Sequence, residues 1–421
     1  MKRLAAVLAA AATLAACGSG RLVRRGTINE DAMAQVRRTL PAIRRLAFTA
    51  PVPAHAMDRA EIRGLLEADL DASYEPGDLE RIAAVYGRLG LLPPGTALRP
   101  ALLRLYEEEG AGFYDPRTKE LVLTTRAQRA AGVWVDLYAS LTGHDLVGEF
   151  LVAHELTHAL QDQHYGLPTE PEPLTAADGD RQLARRALLE GDATLAGFAY
   201  LLGGALDGAT LARVEREVAT TPARLAERFP EVPPLVRATL AFQYVEGTAF
   251  VGHALREDGW PAVDRAHGAP PESTEQVLHP ARFELPRDRP VAIALGGTEA
   301  LAANGWATIL EDTLGELQIR ILAARALPAS EAARVAGGWG GDRIRALGRE
   351  EALVLVWMTA WDADIEAEEF TAALPAVVPG ARVERRAERV LVLLGPEEGA
   401  AVDLGALAAR VWAGTTAARP G

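Results

Sequence analysis

Residues 154 to 158 read His-Glu-Leu-Thr-His, inside the longer run FLVAHELTHALQDQHYG. Two imidazoles four residues apart, with a carboxylate beside the first, are the parts of a site that binds a divalent metal and activates water. Neutral histidine nitrogens ligate zinc, and a nearby glutamate can take a proton. A random chain of this composition would carry the pattern with a probability of about 0.01. On a helix, at about 100° per residue, His154 and His158 lie about 40° apart, and Glu155 falls in the same third of the circumference. The neighbouring Phe150, Leu151, Val152, Ala153, Leu156, Ala159 and Leu160 are apolar nearly all round, which predicts a buried helix. Buried there, the carboxylate and imidazoles need a counter-charge, because unpaired buried charge is costly. A zinc ion, Zn2+, would supply it.

A catalytic zinc takes three protein ligands and leaves one position open. The third is expected from RRALLEGDATLAGFAYLL, where Glu190 follows His158 with 31 residues between them and lies in an otherwise apolar helical run. A carboxylate in such a run is explained by a facing cation. An ion pair with Arg185 or Arg186 is the alternative partner. Asp192 competes for the ligand position but points about 200° away from Glu190 on an ideal helix. Thr194, one turn after Glu190, is placed for a supporting hydrogen bond; Gln161 and Asp162, one turn after His158, are placed either for such support or for solvation at the helix end.

The order GFYDPRTKELVL, HELTHALQDQHY, LLEGDAT, YVEGTAFV and PPESTEQVLHP, over roughly residues 100 to 290, resembles a group of bacterial and archaeal proteins described as HExxH metallopeptidases. His154, Glu155 and His158 with Glu190 look like the gluzincin branch of the zincins. That resemblance implies a zincin-like core, zinc bound by His154, His158 and Glu190, and hydrolysis of peptide bonds. The chain departs from thermolysin-like enzymes at Thr194, where those enzymes have an aspartate.

In the chemistry this implies, Glu155 is the general base that takes a proton from the attacking water and passes it to the leaving amine. The oxyanion needs a further donor. Tyr244 and His253 in FQYVEGTAFVGHAL and His279 in STEQVLHP are the candidates. The other histidines, His55, His144, His164 and His267, sit by loops or helix ends and are expected to face solvent.

These residues need elements to position them. Helices are expected across 30 to 92, with Asp58 as an N-cap. GAGFYDPRTKELVLTT, 110 to 125, reads as a β-hairpin around Asp115-Pro116-Arg117-Thr118, a candidate edge for an extended substrate. Helical periodicity returns at 145 to 164, 176 to 203, 208 to 227 and 233 to 257. The proline-punctuated stretch 270 to 290 is expected to run over the surface. TILEDTLGELQIRILAARAL reads as helix, and beyond it strands and helices alternate. The fold class is therefore α+β and predominantly helical. It comprises a helical N-terminal segment 30–98, a zincin-like core with a small sheet at 99–290, and an α+β module at 291–421.

With 421 residues, 49% apolar and 24% charged, the chain is globular, and its net charge of -13 argues against nucleic acid as a partner. The single cysteine, Cys17, can form no internal disulfide. It closes MKRLAAVLAAAATLAAC, a basic start followed by a short apolar run, which reads as a secretory signal at 1–17. Leu14-Ala15-Ala16-Cys17 resembles a bacterial lipobox, which implies lipidation at Cys17, a tether at 18–29 and a body anchored to a membrane outside the cytoplasm. Gly18 after the cysteine leans toward the outer membrane. The partner expected is a peptide or protein substrate. The competing reading is a zinc-containing scaffold lipoprotein that cuts nothing and binds an envelope partner.

Overall fold

The computed structural model describes residues 23–24, 27–109, 112–124, 146–169, 178–397 and 402–419. The signal region, Cys17 and most of the tether therefore lie outside the described residues, as does His144. Helix α1, Glu30–Arg44, begins at Asn29, whose side chain accepts from the Ala32 amide. It buries Met33, Val36, Leu40 and Arg44, the three- and four-residue spacing of one helical face. Strand β1, Ala54–Met57, leads into α2, Arg59–Ser73, where Asp58 and Glu61 form a reciprocal capping box. Helices α3, Asp78–Leu89, and α4, Leu98–Glu109, follow.

The expected hairpin forms from β2, Gly112–Asp115, and β3, Glu120–Thr124. Asp115 closes its turn by accepting from the Arg117 amide. The three-stranded sheet has the order β1-β3-β2, so β2 is an edge among the described residues. Helix α5, Leu146–Tyr165, carries the HELTH residues, and α6, Gly179–Leu201, carries Glu190. The expected helix 208–227 is two helices, α7, Gly208–Val218, and α8, Thr221–Arg228. Pro222 has no amide hydrogen to continue the ladder from α7, so it sits in the first turn of α8 instead. Next come α9, Pro234–Asp258, and α10, Trp260–Gly268.

Helices α6 and α9 meet backbone to backbone. A Cβ on Gly191 would lie 2.1 Å from the Gly247 carbonyl oxygen, and one on Gly247 would lie 2.1 Å from that of Ala187. Only glycine allows this approach. It sets Glu190 beside the crossing.

The stretch 270–290 departs from the sequence expectation. It forms short helices α11, Thr274–Leu278, and α12, Pro280–Phe283, and residues 273 to 277 are buried. Burial follows from Asp180 at the start of α6, which accepts from the Thr274 amide at 3.1 Å and from its hydroxyl. The run expected as helix from 308 begins as a strand. Strand β4, Ala292–Ala294, and a one-turn helix, Glu299–Ala302, precede β5, Ala307–Asp312, and α13, Gly315–Ala323, comes only after it. Pairing of β5 with its sheet neighbour overrides the helical propensity of ILEDTLGEL.

The remaining elements are α14, Ala329–Ala336; β6, Trp339–Arg349; β7, Ala352–Trp361; α15, Asp364–Val377; β8, Arg382–Arg386; β9, Arg389–Leu394; α16, Leu404–Gly414; and β10, Thr416–Ala418. Strands β8-β9-β7-β6-β5 form an antiparallel sheet, and β10 pairs with β4. Alternation sends Leu355, Trp357, Val390 and Val392 into one core and Val354, Val356, Leu391 and Leu393 into another, under α16. The first of these cores also takes in Leu79, Ile82 and Leu102 of the N-terminal helices and Leu235 of α9. The expected segments 30–98, 99–290 and 291–421 therefore share apolar packing. The architecture is α+β and predominantly helical, and no helix among the described residues is long and apolar enough to cross a membrane.

Replacing Gly191 by alanine forces the α6–α9 crossing apart, with an expected destabilisation of about 2 kcal/mol or more. Gly64→Ala, on an exposed face of α2 with open space around it, should be neutral or stabilise by about 0.5–1 kcal/mol. Urea unfolding of the two variants compares them, and equal effects would contradict the crossing as described.

Candidate metal centre

On α5, His154 and His158 project from successive turns toward α6. His154 Nε2 lies 3.2 Å from His158 Nε2 and 3.2 Å from Glu190 Oε2, and His158 Nε2 lies 3.7 Å from the same oxygen. Donor atoms about 2.1 Å from a tetrahedral ion stand about 3.4 Å from one another, so this triangle fits a zinc-sized ion. The donor set of two imidazoles and one carboxylate is also one that zinc accepts. The sequence-derived trio thus comes together as a group that could hold a metal ion. Arg185 and Arg186, the alternative partners of Glu190, form no ion pair with it; Glu190 is paired with the two histidines.

Without an ion the three groups balance one another. Burial works against a charge on His158, but the Glu190 carboxylate outweighs it and pushes the imidazole up to about 9. Burial likewise works to raise Glu190, while His158 and His154 hold it well below the usual carboxylate range. A metal ion would replace the imidazole proton in this arrangement. Glu155 lies beside the trio, buried, and burial raises its carboxyl. Its Oε2 accepts from the Tyr114 amide of edge strand β2 at 3.0 Å.

A second layer of contacts fixes the ligands. Gln161 Oε1 lies 2.8 Å from His158 Nδ1. That nitrogen therefore carries the proton and Nε2 keeps its lone pair for a metal. Gln161 Nε2 donates to the Leu189 carbonyl and to Asp192, each at 3.0 Å. Asp192, fully buried, accepts from Arg44 Nε at 2.7 Å and from His267 Nε2 at 2.8 Å. Burial raises the Asp192 carboxyl, but Arg44 and His267 outweigh it and hold it well below the ordinary range. Arg44 also bonds Asp264 and lies over the Trp260 ring.

Several sequence expectations change here. Asp192, considered as a rival ligand, supports the site instead, because its face of α6 meets α1 and the later turn of α5. Thr194, assigned that support, has a buried hydroxyl without a partner among the described residues. His267, expected in solvent, has a buried ring, bonded to Asp192 and stacked on Tyr165 at 4.5 Å. Asp162 ties α5 to the hairpin through Tyr114 Oη at 2.6 Å and Lys119 Nζ at 2.8 Å. Arg44 was not singled out from the sequence, although its place on the Met33-Val36-Leu40 face was a signal that it is buried.

Of the candidate oxyanion donors, only Tyr244 reaches the site, its ring centre 6.3 Å from that of His154. His253 follows Tyr244 by nine residues, about 180° round the helix. It faces Glu284 at 2.8 Å and Glu257 at 3.7 Å. His279 is paired with buried Glu316 at 2.9 Å. Neither His253 nor His279 lines the cavity that contains His154, Glu155 and His158. His55 and His164 stay near the surface, the latter 2.8 Å from the Ala47 carbonyl.

Among the described residues, two other acid-containing groups are close enough to hold a cation. His253, Glu257 and Glu284 are half-buried or exposed. Glu275, Asp288 and Asp362 are already neutralised by Arg282, with Arg419 on the latter two.

A family model described as a domain of unknown function, DUF8575, matches residues 307–401, which contain the five-stranded sheet. No curated protein and no solved structure matches the chain. The His154, His158 and Glu190 cluster lies outside the matched stretch.

Removing Arg44 leaves the Asp192 carboxylate buried without its main counter-charge. Arg44→Ala should lower stability by about 3–5 kcal/mol, and Arg44→Met combined with Asp192→Leu should recover part of that loss. Urea unfolding of the single and double variants measures both. A loss of about 0.5 kcal/mol or less in Arg44→Ala would contradict the supporting role.

Proposed function

We propose that the protein is a zinc-dependent peptidase with a zincin-like, gluzincin-type core, lipid-anchored at Cys17 outside the cytoplasm. The observation that carries the reading is the triangle of His154 Nε2, His158 Nε2 and Glu190 Oε2, with a buried fourth group, Glu155, beside it and outside the triangle. When bound, zinc lowers the pKa of a coordinated water toward 7 and polarises a carbonyl.

The chain's own residues do the rest. The Tyr114 amide holds Glu155 Oε2, leaving Oε1 to take a proton from water and return it to the leaving amine. Burial works to raise the Glu155 carboxyl. Gln161 keeps the proton of His158 on Nδ1 throughout. Tyr244, against His154, supplies the oxyanion donor. Edge strand β2 offers its backbone to an extended peptide.

The alternative, a zinc-containing scaffold that cuts nothing, is disfavoured by the same geometry. Structural zinc sites are closed by four protein ligands and need no neighbouring base. Among the described residues, this cluster offers three ligands and retains Glu155.

The test is metal analysis with peptide hydrolysis. Purified protein should hold one zinc per chain, and Glu155→Gln should keep that zinc and the fold while hydrolysis falls by about 10²-fold or more. Hydrolysis unchanged in Glu155→Gln, or zinc absent from correctly folded protein, would sink the reading.

A further inference from the structure

The cavity beside the metal cluster is larger than one side chain can fill. Its volume is about 680 Å³, and it reaches well away from the ligands. Along α6 its lining runs from Glu190 back to Gly179, eleven steps of about 1.5 Å, or about 16 Å. Along α9 it runs from Tyr244 back to Leu235, nine steps or about 14 Å. Two helices therefore give a similar depth. An extended peptide advances about 3.3 Å per residue, so the chamber matches about four residues.

Its walls are mostly apolar. Ile62 and Leu66 of α2, Leu102 of α4, Phe113 of the edge strand and Leu240 of α9 are among them. Polar side chains away from the histidines also line it, among them Arg186, Gln243 and Asp312, with Gln182 on α6 and Gln318 on α13. The Oε1 atoms of Gln182 and Gln318 are buried and have no hydrogen-bond partner among the described residues, and Gln318 is only 8% exposed. A buried acceptor without a donor is costly, so these two oxygens mark where a ligand's donors belong. A fatty acyl chain has the length and apolar character for the chamber but no donors for the two oxygens. A peptide has a backbone N–H at each residue.

We propose that this chamber binds an extended apolar stretch of peptide about four residues long, with Gln182 and Gln318 accepting from its backbone N–H groups. The proposal rests on the peptidase reading only in taking the ligand to be a peptide. Substrates are then selected over several apolar residues rather than by one side chain beside the cut bond.

The test uses zinc-loaded full-length Glu155→Gln protein and fluorescently labelled peptides of one to six leucine and phenylalanine residues, with binding followed by anisotropy. Affinity should rise with each residue to about four and then level off. Aspartate at the inner positions should weaken binding about tenfold or more. N-methylation of the inner amides, which deletes the donors and leaves the side chains, should weaken it about tenfold. Gln182→Leu and Gln318→Leu should lower affinity for the unmethylated peptide and leave that for the methylated one unchanged; the methylated peptides probe the unaltered chain even if a glutamine variant misfolds.

Affinity that stops rising after the first residue, indifference to N-methylation, or a labelled dodecanoyl amide that binds as tightly would each overturn the proposal. The same peptides given to the wild-type zinc protein separate it from the peptidase reading. Length-dependent binding without cleavage supports the chamber and refutes hydrolysis. Cleavage with no dependence on length overturns the chamber and leaves hydrolysis standing.

Discussion

The site depends on one buried charge, the Asp192 carboxylate. It sits in the apolar interior with no access to solvent, where an uncompensated carboxylate would cost several kcal/mol. Its donors come from three elements besides its own: Arg44 at the end of α1, Gln161 on α5 and His267 on α10. Each donor gains a fixed position in return. For Gln161 that position matters most, because its other end meets His158. The orientation of one imidazole is thereby tied to a salt bridge between residues 148 apart in sequence. Helix α1 is consequently part of the support of the candidate metal centre and not a detachable cover over it.

Helix α6 is held at three points with different physics. Its middle crosses α9 at Gly191 and Gly247, where backbone touches backbone. Asp192 anchors the same turn electrostatically. Its start is held by the C-terminal sheet, since Asp312 at the end of β5 accepts from the Gly179 amide at 2.8 Å. Burial raises the Asp312 carboxyl to about 7, against the Gly179 and Thr313 amides and the Tyr86 hydroxyl that donate to it. Glu190 therefore depends on packing from the module farthest from it in sequence. The cavity runs along this same helix, between the capped start and the His154, His158 and Glu190 cluster.

Much of the centre was legible because it is local. The His154–His158 spacing, the apolar flanks of α5 and the charge of Glu190 in an apolar helix are readable from periodicity and the cost of burying charge. The hairpin and the capping of α2 by Asp58 were readable from turn and cap chemistry. What was not legible is long-range. Periodicity could place Arg44 on a buried face but could not name Asp192 as its partner. Thr194 was preferred over Asp192 for ligand support because angle on one helix says nothing about which helix lies opposite. His253 could have been set aside by angle alone, nine residues from Tyr244. The strand at β5 was hidden in a helix-like run, because the choice was made by pairing with β6.

The central claim is that His154, His158 and Glu190 bind one zinc ion and leave a position open. X-ray absorption spectroscopy of zinc-loaded protein tests it directly. The account requires a four-coordinate shell of nitrogen and oxygen at about 2.0–2.1 Å, with outer-shell scattering from two imidazoles and no sulfur. A six-oxygen shell, or a spectrum without imidazole scattering, would contradict it.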